Sequence, residues 1–224
     1  MSKLLSLLFG RLPIGWLQLS HSKGRLIAAV SGVAFANLLV FMQLGIMGAL
    51  NNSTIAPYAL LDTDIIVSSQ AGNTLTDSDN IAQVWMFQAL GVPGVSAAMP
   101  IYIGNLPITL DDGTSVTLLV FGVDATKPAF VSRAIAQLLG QLTIENTALI
   151  DKGTRGIPPD VIADIIAGNA FSFEANGRTI SAIATMDVGG GFLADGMIVT
   201  SDQSFFRLFA ARSSAASNHI LLQV

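Results

Sequence analysis

The chain has no cysteine in 224 residues. That excludes disulfide bridges, thiolate nucleophiles and every metal site with a sulfur ligand. Histidine is almost missing as well: His21 and His219 lie 198 positions apart, so an H-E-x-x-H zinc helix cannot form. There is no G-x-x-x-x-G-K-[ST] to cradle phosphates and no G-x-S-x-G nucleophile elbow. Charged residues make up only 12% of the chain, and no Lys or Arg occurs between Arg25 and Lys127. Residues 51–224 hold all 15 acids but 7 of the 11 basic residues, a net charge of −8. Nucleic acid is thereby excluded as the main partner of that part, because phosphate binding needs clustered cations.

What is present is a run of 25 uncharged residues, Leu26 to Leu50. As a helix rising ~1.5 Å per residue it covers ~37 Å, enough for a ~30 Å hydrocarbon layer. Twelve of its positions are Leu, Ile, Val or Phe; together they favour insertion by about 4 to 7 kcal/mol. Ser31, Asn37 and Gln43 offset part of this without changing the sign. A cleaved signal peptide needs a shorter apolar core and a small-x-small cleavage site, and Gly48-Ala49-Leu50-Asn51 is a poor match. The run reads as a membrane span.

Lys3, Arg11, Lys23 and Arg25 precede the span with no acid among them. By the positive-inside rule the N-terminus is expected in the cytoplasm and the rest across a bacterial inner membrane, in the periplasm. The expected domains are a cytoplasmic or interfacial segment 1–25, a transmembrane helix 26–50 and an exported domain 51–224. Leu4 to Leu19 is apolar but broken by Arg11 and Pro13, and is expected to lie on membrane lipid with Trp16 at headgroup depth. Within the span, Ala28, Gly32 and Ala36 recur at spacing four, a row that lets another helix approach closely. Asn37 and Gln43 are amides that favour protein over lipid. All five are expected to serve helix packing in a bundle.

Beyond residue 50 short strands and helices alternate, which predicts an α+β domain. Strands are expected at Asp64–Ser69, Ala98–Ile103 (with Pro100 at an edge or bulge), Val116–Val123, Ala148–Asp151, Phe171–Glu174, Thr179–Met186, Met197–Thr200 and His219–Val224. Asp111-Asp112-Gly113 and Asn176-Gly177 are hairpin turns. Helices are expected at Asp79–Leu90, capped by Asp77 or Asp79 and presenting Ile81, Val84, Trp85 and Gln88 on one side, at Pro159–Ile166, and from Ser201-Asp202 to Phe209.

Three motifs fall short of chemistry. Ser20-His21-Ser22-Lys23 has S-x-x-K spacing but no S-D-N or K-T-G follows it. Asp77-Ser78-Asp79-Asn80 begins like a calcium loop, yet its sixth position is Ala82 and its twelfth Gln88. Gly189-Gly190-Gly191 opens no helix and is a loop. No catalytic residue, cofactor or metal is expected.

Arg11, Pro13, Trp16, Gln18, Leu19, Lys23, Arg25, Leu26, Gly32, Phe35, Ala36 and Phe41-Met42-Gln43-Leu44-Gly45 resemble the start of DevC-type ABC exporter permeases, relatives of the MacB/FtsX-like permeases. Further matches are Gln88-Ala89-Leu90, Pro100-Ile101-Tyr102, Gly122 with Asp124, Asp151 with Arg155, Ala194-Asp195-Gly196, and Thr200-Ser201-Asp202 with Phe205. The chain departs from many members in lacking a basic cluster over Asn80 to Val84. The family continues through three more transmembrane helices, so the resemblance implies a piece holding the first helix and a MacB-like periplasmic domain. It also implies an ABC ATPase subunit as cytoplasmic partner, a membrane-fusion adaptor protein at the periplasmic domain, and a second permease copy. Glycolipid export in cyanobacteria is the associated cargo class, and no catalysis is implied in the chain itself. The competing readings are a single-pass anchored binding or sensing domain and a membrane-tethered enzyme.

The charge asymmetry yields a topological prediction. A biotinylation tag near Asn52 or Asp112 should label from outside the inner membrane. Labelling of either position only from the cytoplasm overturns the orientation.

Overall fold

The computed structural model describes Gly15 and residues 21–110, 112–189 and 194–224. Apart from Gly15, the segment expected to lie on the membrane surface is outside the described residues, as are Asp111 and the second and third glycines of Gly189-Gly190-Gly191. The described elements run α1 (Lys23–Ile55), a 3-10 turn (Ala56–Leu60), β1 (Ile65–Ser68), β2 (Ile81–Ala82), α2 (Val84–Leu90), β3 (Ala97–Thr109), β4 (Ser115–Val123), α3 (Arg133–Ala136) and β5 (Thr147–Asp151). They continue with α4 (Pro159–Ile166), β6 (Phe171–Ala175), β7 (Arg178–Met186), β8 (Gly196–Ser201), α5 (Asp202–Leu208), β9 (Ala216–Ser217) and β10 (His219–Gln223). The fold class is α+β, an apolar N-terminal helix followed by a mixed sheet with short helices.

Contacts divide the chain into Met1–Ala49 and Leu50–Val224. Most of the first unit's described residues belong to α1, which runs on past Ala49 to Ile55 and at 33 residues outruns the 25-residue apolar run at both ends. None of its residues is buried. Apolar side chains on every side of an exposed helix match a membrane span, since water would penalise each of them.

In the second unit eight strands form one sheet in the order β1-β10-β3-β4-β8-β5-β7-β6. The β4–β8 and β5–β7 pairs are parallel and the others antiparallel. Alternation along the strands sends side chains to opposite faces. One face carries Met99, Ile101, Phe121, Leu149, Val199 and Leu221, covered by Leu60, Phe130, Ile135, Leu139 and Leu142. The other carries Leu106, Leu118, Val120, Ile150 and Ile198, covered by Ile162 and Ile165 of α4 and by Phe205 and Leu208 of α5.

The hairpins sit where the turn residues put them. Asn176 and Gly177 take φ 48° and 71° between β6 and β7, the pair of left-handed residues a two-residue turn needs. The helix Pro159–Ile166 begins at the Pro158-Pro159 start, and Ser201 caps α5 by accepting from the Ser204 N–H at 3.3 Å.

Three expectations are corrected. The helix expected from Asp79 begins only at Val84, because Ile81-Ala82 pair with Ala216-Ser217 as a two-stranded sheet. Neither Asp77 nor Asp79 caps it, and its buried side is Met86 rather than Val84, Trp85 and Gln88. The strand expected at Ala98–Ile103 runs on to Thr109. Pro100 is tolerated there because β3 pairs with β10 only through Ile101 and with β4 only from Tyr102, so each stretch has one neighbour.

Gly122 fixes how closely α5 approaches β4: a Cβ there would lie 2.7 Å from Phe205 Cβ and Cγ, and Phe205 is fully buried. Gly122→Ala should therefore cost about 1–3 kcal/mol by overpacking. A thermal melt of the full chain in detergent should show a Tm lowered by about 5 °C. Gly140→Ala, where a Cβ meets nothing within 4 Å, should melt like the parent.

Candidate functional site

The sequence points first to α1. Ala28, Gly32, Ala36, Asn37 and Gln43 are all exposed on it. At about 100° per residue, Ala28, Gly32, Ala36 and Gln43 share an arc of about 80°. Asn37 lies about 140° from the centre of that arc, beside Ala29, Val30, Val33 and Ala34 in a shallow hollow. The helix therefore offers two faces, a small-residue row with Gln43 and a separate Asn37 face. A Cβ on Gly32 would meet nothing within 4 Å, so its side-chain-free surface is available to an outside helix.

The motifs set aside above fall as follows. In Ser20-His21-Ser22-Lys23, Ser20 lies outside the described residues and Lys23 is simply the first residue of α1. Asp77-Ser78-Asp79-Asn80 belongs to a loop, 69–80, whose anchors are side chains from the far end of the chain. Among the described residues no group of three or more His, Asp or Glu is placed to hold a metal.

Those anchors are the polar centre that sequence reasoning missed. His219 is 1% exposed. Its Nε2 lies 2.7 Å from the Leu75 carbonyl, which can only accept, so Nε2 carries the proton. The Ser68 hydroxyl donates to Nδ1 at 2.7 Å, and Ser78 Oγ lies 3.0 Å from Nε2. Next to it, Asn218 Oδ1 accepts from the Ile103 N–H (2.8 Å) and from Arg212 Nη2 (2.7 Å). Arg212 Nη2 also donates to Asn80 Oδ1 at 2.8 Å. A Ser–His pairing is present, but the imidazole is sealed from solvent and its proton is held by a backbone carbonyl. It is a strut and not a nucleophile's base. Only the spacing of Asn218-His219 at a strand start hinted at it, and its partners lie 141 to 151 residues away.

Two other features have no counterpart in the sequence expectations. Val84, Trp85, Phe87, Leu90 and Val92 are 42–62% exposed, an apolar ridge on and just after α2; exposed clusters of this kind mark contact surfaces. A groove of about 370 Å³ lies along β6, lined by Leu110, Asp112, Val161, Phe171, Phe173 and Glu174 among others. Elsewhere Asp151, fully buried, accepts from the Val188 and Gly189 N–H groups (2.9 and 3.2 Å). Arg155 donates to the Ala194 carbonyl at 2.9 Å and pairs with Asp195. The matched positions Asp151, Arg155 and Asp195 thus hold the two ends of the loop before β8. Tyr102 is pushed up to about 12 by burial, with Asp202 and Asp124 adding to the shift, and its hydroxyl donates to the Ser214 carbonyl.

With the geometry in place, the chain can be compared with known proteins. No family model matches it, and no curated protein matches it. Its structural neighbours are extracytoplasmic domains of ABC transporters. The extracellular domain of the noncanonical ABC-type transporter YknZ from Gram-positive bacteria aligns over 74% of this chain and 82% of its own, at 9% identity and a TM-score of 0.44. The periplasmic region of MacB from Actinobacillus actinomycetemcomitans aligns over 71% and 72%, at 9% identity and a TM-score of 0.43.

Burial depresses the His219 pKa below 6.5, the Leu75 hydrogen bond opposing the shift only in part. The sign of the pH effect follows. Above 6.5 the imidazole is neutral folded and unfolded, and the network's stability is complete. As pH falls through that value the unfolded chain takes up a proton that the folded chain refuses, so stability drops by up to about 1.4 kcal/mol per pH unit until the folded pKa is reached. Melts of His219→Gln should start lower at neutral pH but lack this component of acid sensitivity. Parallel pH profiles for parent and variant would remove His219 as its source.

Proposed function

We propose that the chain is a non-catalytic permease component of an ABC exporter of the DevC type, with α1 packing among other membrane helices and residues 51–224 on the periplasmic side. The observation that carries this is α1: 33 residues with none buried, apolar on all sides, yet bearing a glycine whose surface is open to a second helix. A helix serving only as a tether has no need of a row of small residues with Gln43 on the same face. The sequence resemblance, which spans both the helix and the domain, supports the exporter class. The polar centre around His219 braces a loop, and the exposed ridge on α2 suits a domain that meets another macromolecule.

In this reading ATP hydrolysis belongs to a separate cytoplasmic subunit, a second permease copy pairs with the first, and the exported domain meets a membrane-fusion adaptor. A glycolipid is the cargo class the resemblance suggests. The second reading, a single-pass binding or sensing domain, shares the exposed ridge but leaves the helix row unused.

Affinity-tagged chain isolated from its native membrane in mild detergent should carry an ABC ATPase with it, identified by mass spectrometry. Gly32→Leu should insert as well as the parent, because the added side chain is apolar and meets nothing in its own chain. It should reduce the recovered ATPase and permease partner about tenfold, since losing about 1.4 kcal/mol of helix packing is a factor of ten. Full recovery with Gly32→Leu overturns the packing role, and absence of any ATPase overturns the exporter.

A further inference from the structure

We propose that the open edge of β6 binds an extended segment of a partner protein by strand addition, with a Lys or Arg of that segment held by Asp112 and Glu174. This does not rest on the exporter reading, and either can fail without the other.

Hydrogen-bond phase shows which backbone groups are free. β6 is the last strand of the sheet and pairs with β7 alone. Ser172 faces Ser181, whose N–H is turned the other way, donating to the Asn146 carbonyl at 2.9 Å. Ser172 and Ser181 therefore form a non-hydrogen-bonded pair, and the N–H and C=O of Ser172 and of Glu174, two residues on, point to the open side. The facing wall has the same character. Leu110 N–H bonds the Thr114 carbonyl at 2.9 Å, setting even-numbered positions toward β4. The Ile103 N–H accordingly turns away, to Asn218 Oδ1. Thr109 shares the phase of Ile103 and lines the groove; Pro107 shares it too and has no N–H to leave unpaired.

Along β6 the groove has an apolar floor. Phe171, Phe173, Val161 and Leu110 supply apolar contacts for alternate side chains of an added strand. Asp112 and Glu174 are its charged lining, and no described lining residue is cationic. The Thr114 N–H donates to Asp112 at 2.8 Å and keeps that carboxylate ionised. Unpaired backbone groups select an extended peptide over a hydrocarbon, which leaves the ladder groups unmatched. The two carboxylates select a cationic side chain over an anionic one.

The probe is a fluorescein-labelled, end-blocked pentapeptide, TVKVT, titrated by fluorescence polarisation into the full chain in detergent micelles. Binding should appear with a Kd on the order of 10–100 µM, as for a short strand paired along one edge. TVEVT should bind at least tenfold more weakly. TVKVT with alternate amides N-methylated should lose binding, a result that needs no change in the protein. Ser172→Pro, which removes an outward N–H, should weaken TVKVT about tenfold with an unchanged melt, and Asp112→Lys with Glu174→Lys should reverse the Lys/Glu preference. No binding at 1 mM overturns the proposal. So does equal binding of the N-methylated probe or of TVEVT, and so does a bound hydrocarbon dye that TVKVT cannot displace from the groove.

Discussion

Two apolar layers on opposite faces of one sheet carry the domain Leu50–Val224, because a chain without cysteine has no covalent brace to share the load. Phe121 and Leu149 on one side and Val120 and Ile150 on the other are fully or almost fully buried on β4 and β5, the two strands that flank β8. The short helices and 3-10 turns exist to cover these faces, and none would hold its shape alone at three to eight residues. Close approach matters as much as area. Gly122 under Phe205 and Gly104 under Phe209 let α5 settle onto the sheet at a separation that any side chain would widen.

Polar groups inside such a core need partners, and the domain concentrates them where regular structure is missing. The loop 69–80 has no ladder of its own, so the Leu75 and Ser78 carbonyls, the Ser78 hydroxyl and the Asn80 amide oxygen are satisfied by His219, Asn218 and Arg212, while the buried Ser69 hydroxyl has no partner among the described residues. Desolvation makes an unpaired group there expensive. The imidazole is useful because, as a neutral ring, it accepts at one nitrogen and donates at the other. The same logic places Asp151 at the loop before β8, where its carboxylate gathers backbone N–H groups.

Much of the fold was legible because turn chemistry and alternation are local. Asn176-Gly177, Asp112-Gly113 and Pro158-Pro159 mark element ends through φ preferences that need no tertiary information. β3 was underestimated because Pro100 and Pro107 argue against a strand, and only the sheet shows that each proline lies where the strand has a neighbour on one side. The Asp79–Leu90 helix was overestimated because Ile81 fits a helical stripe as well as it fits a strand, and its partner Ser217 is 136 residues away. On α1 the row of small residues was visible from spacing, but Asn37 was grouped with it until its angle on the helix was considered. His219 and the groove were beyond reach, since both are made by juxtapositions that no window of sequence contains.

Strand order has a consequence for how the domain comes into being. β10 follows β1 to β9 in sequence, yet it belongs between β1 and β3, near the middle of one half of the sheet. Until His219–Gln223 arrive, β1 has no neighbour at all, β3 has an open flank at Ala97–Ile101, and loop 69–80 lacks its imidazole. The nascent domain therefore waits in an incomplete state with exposed strand edges, the condition in which chains aggregate or recruit holdase chaperones. A chain cut before His219 would hold β1 to β9 and have no way to close its sheet.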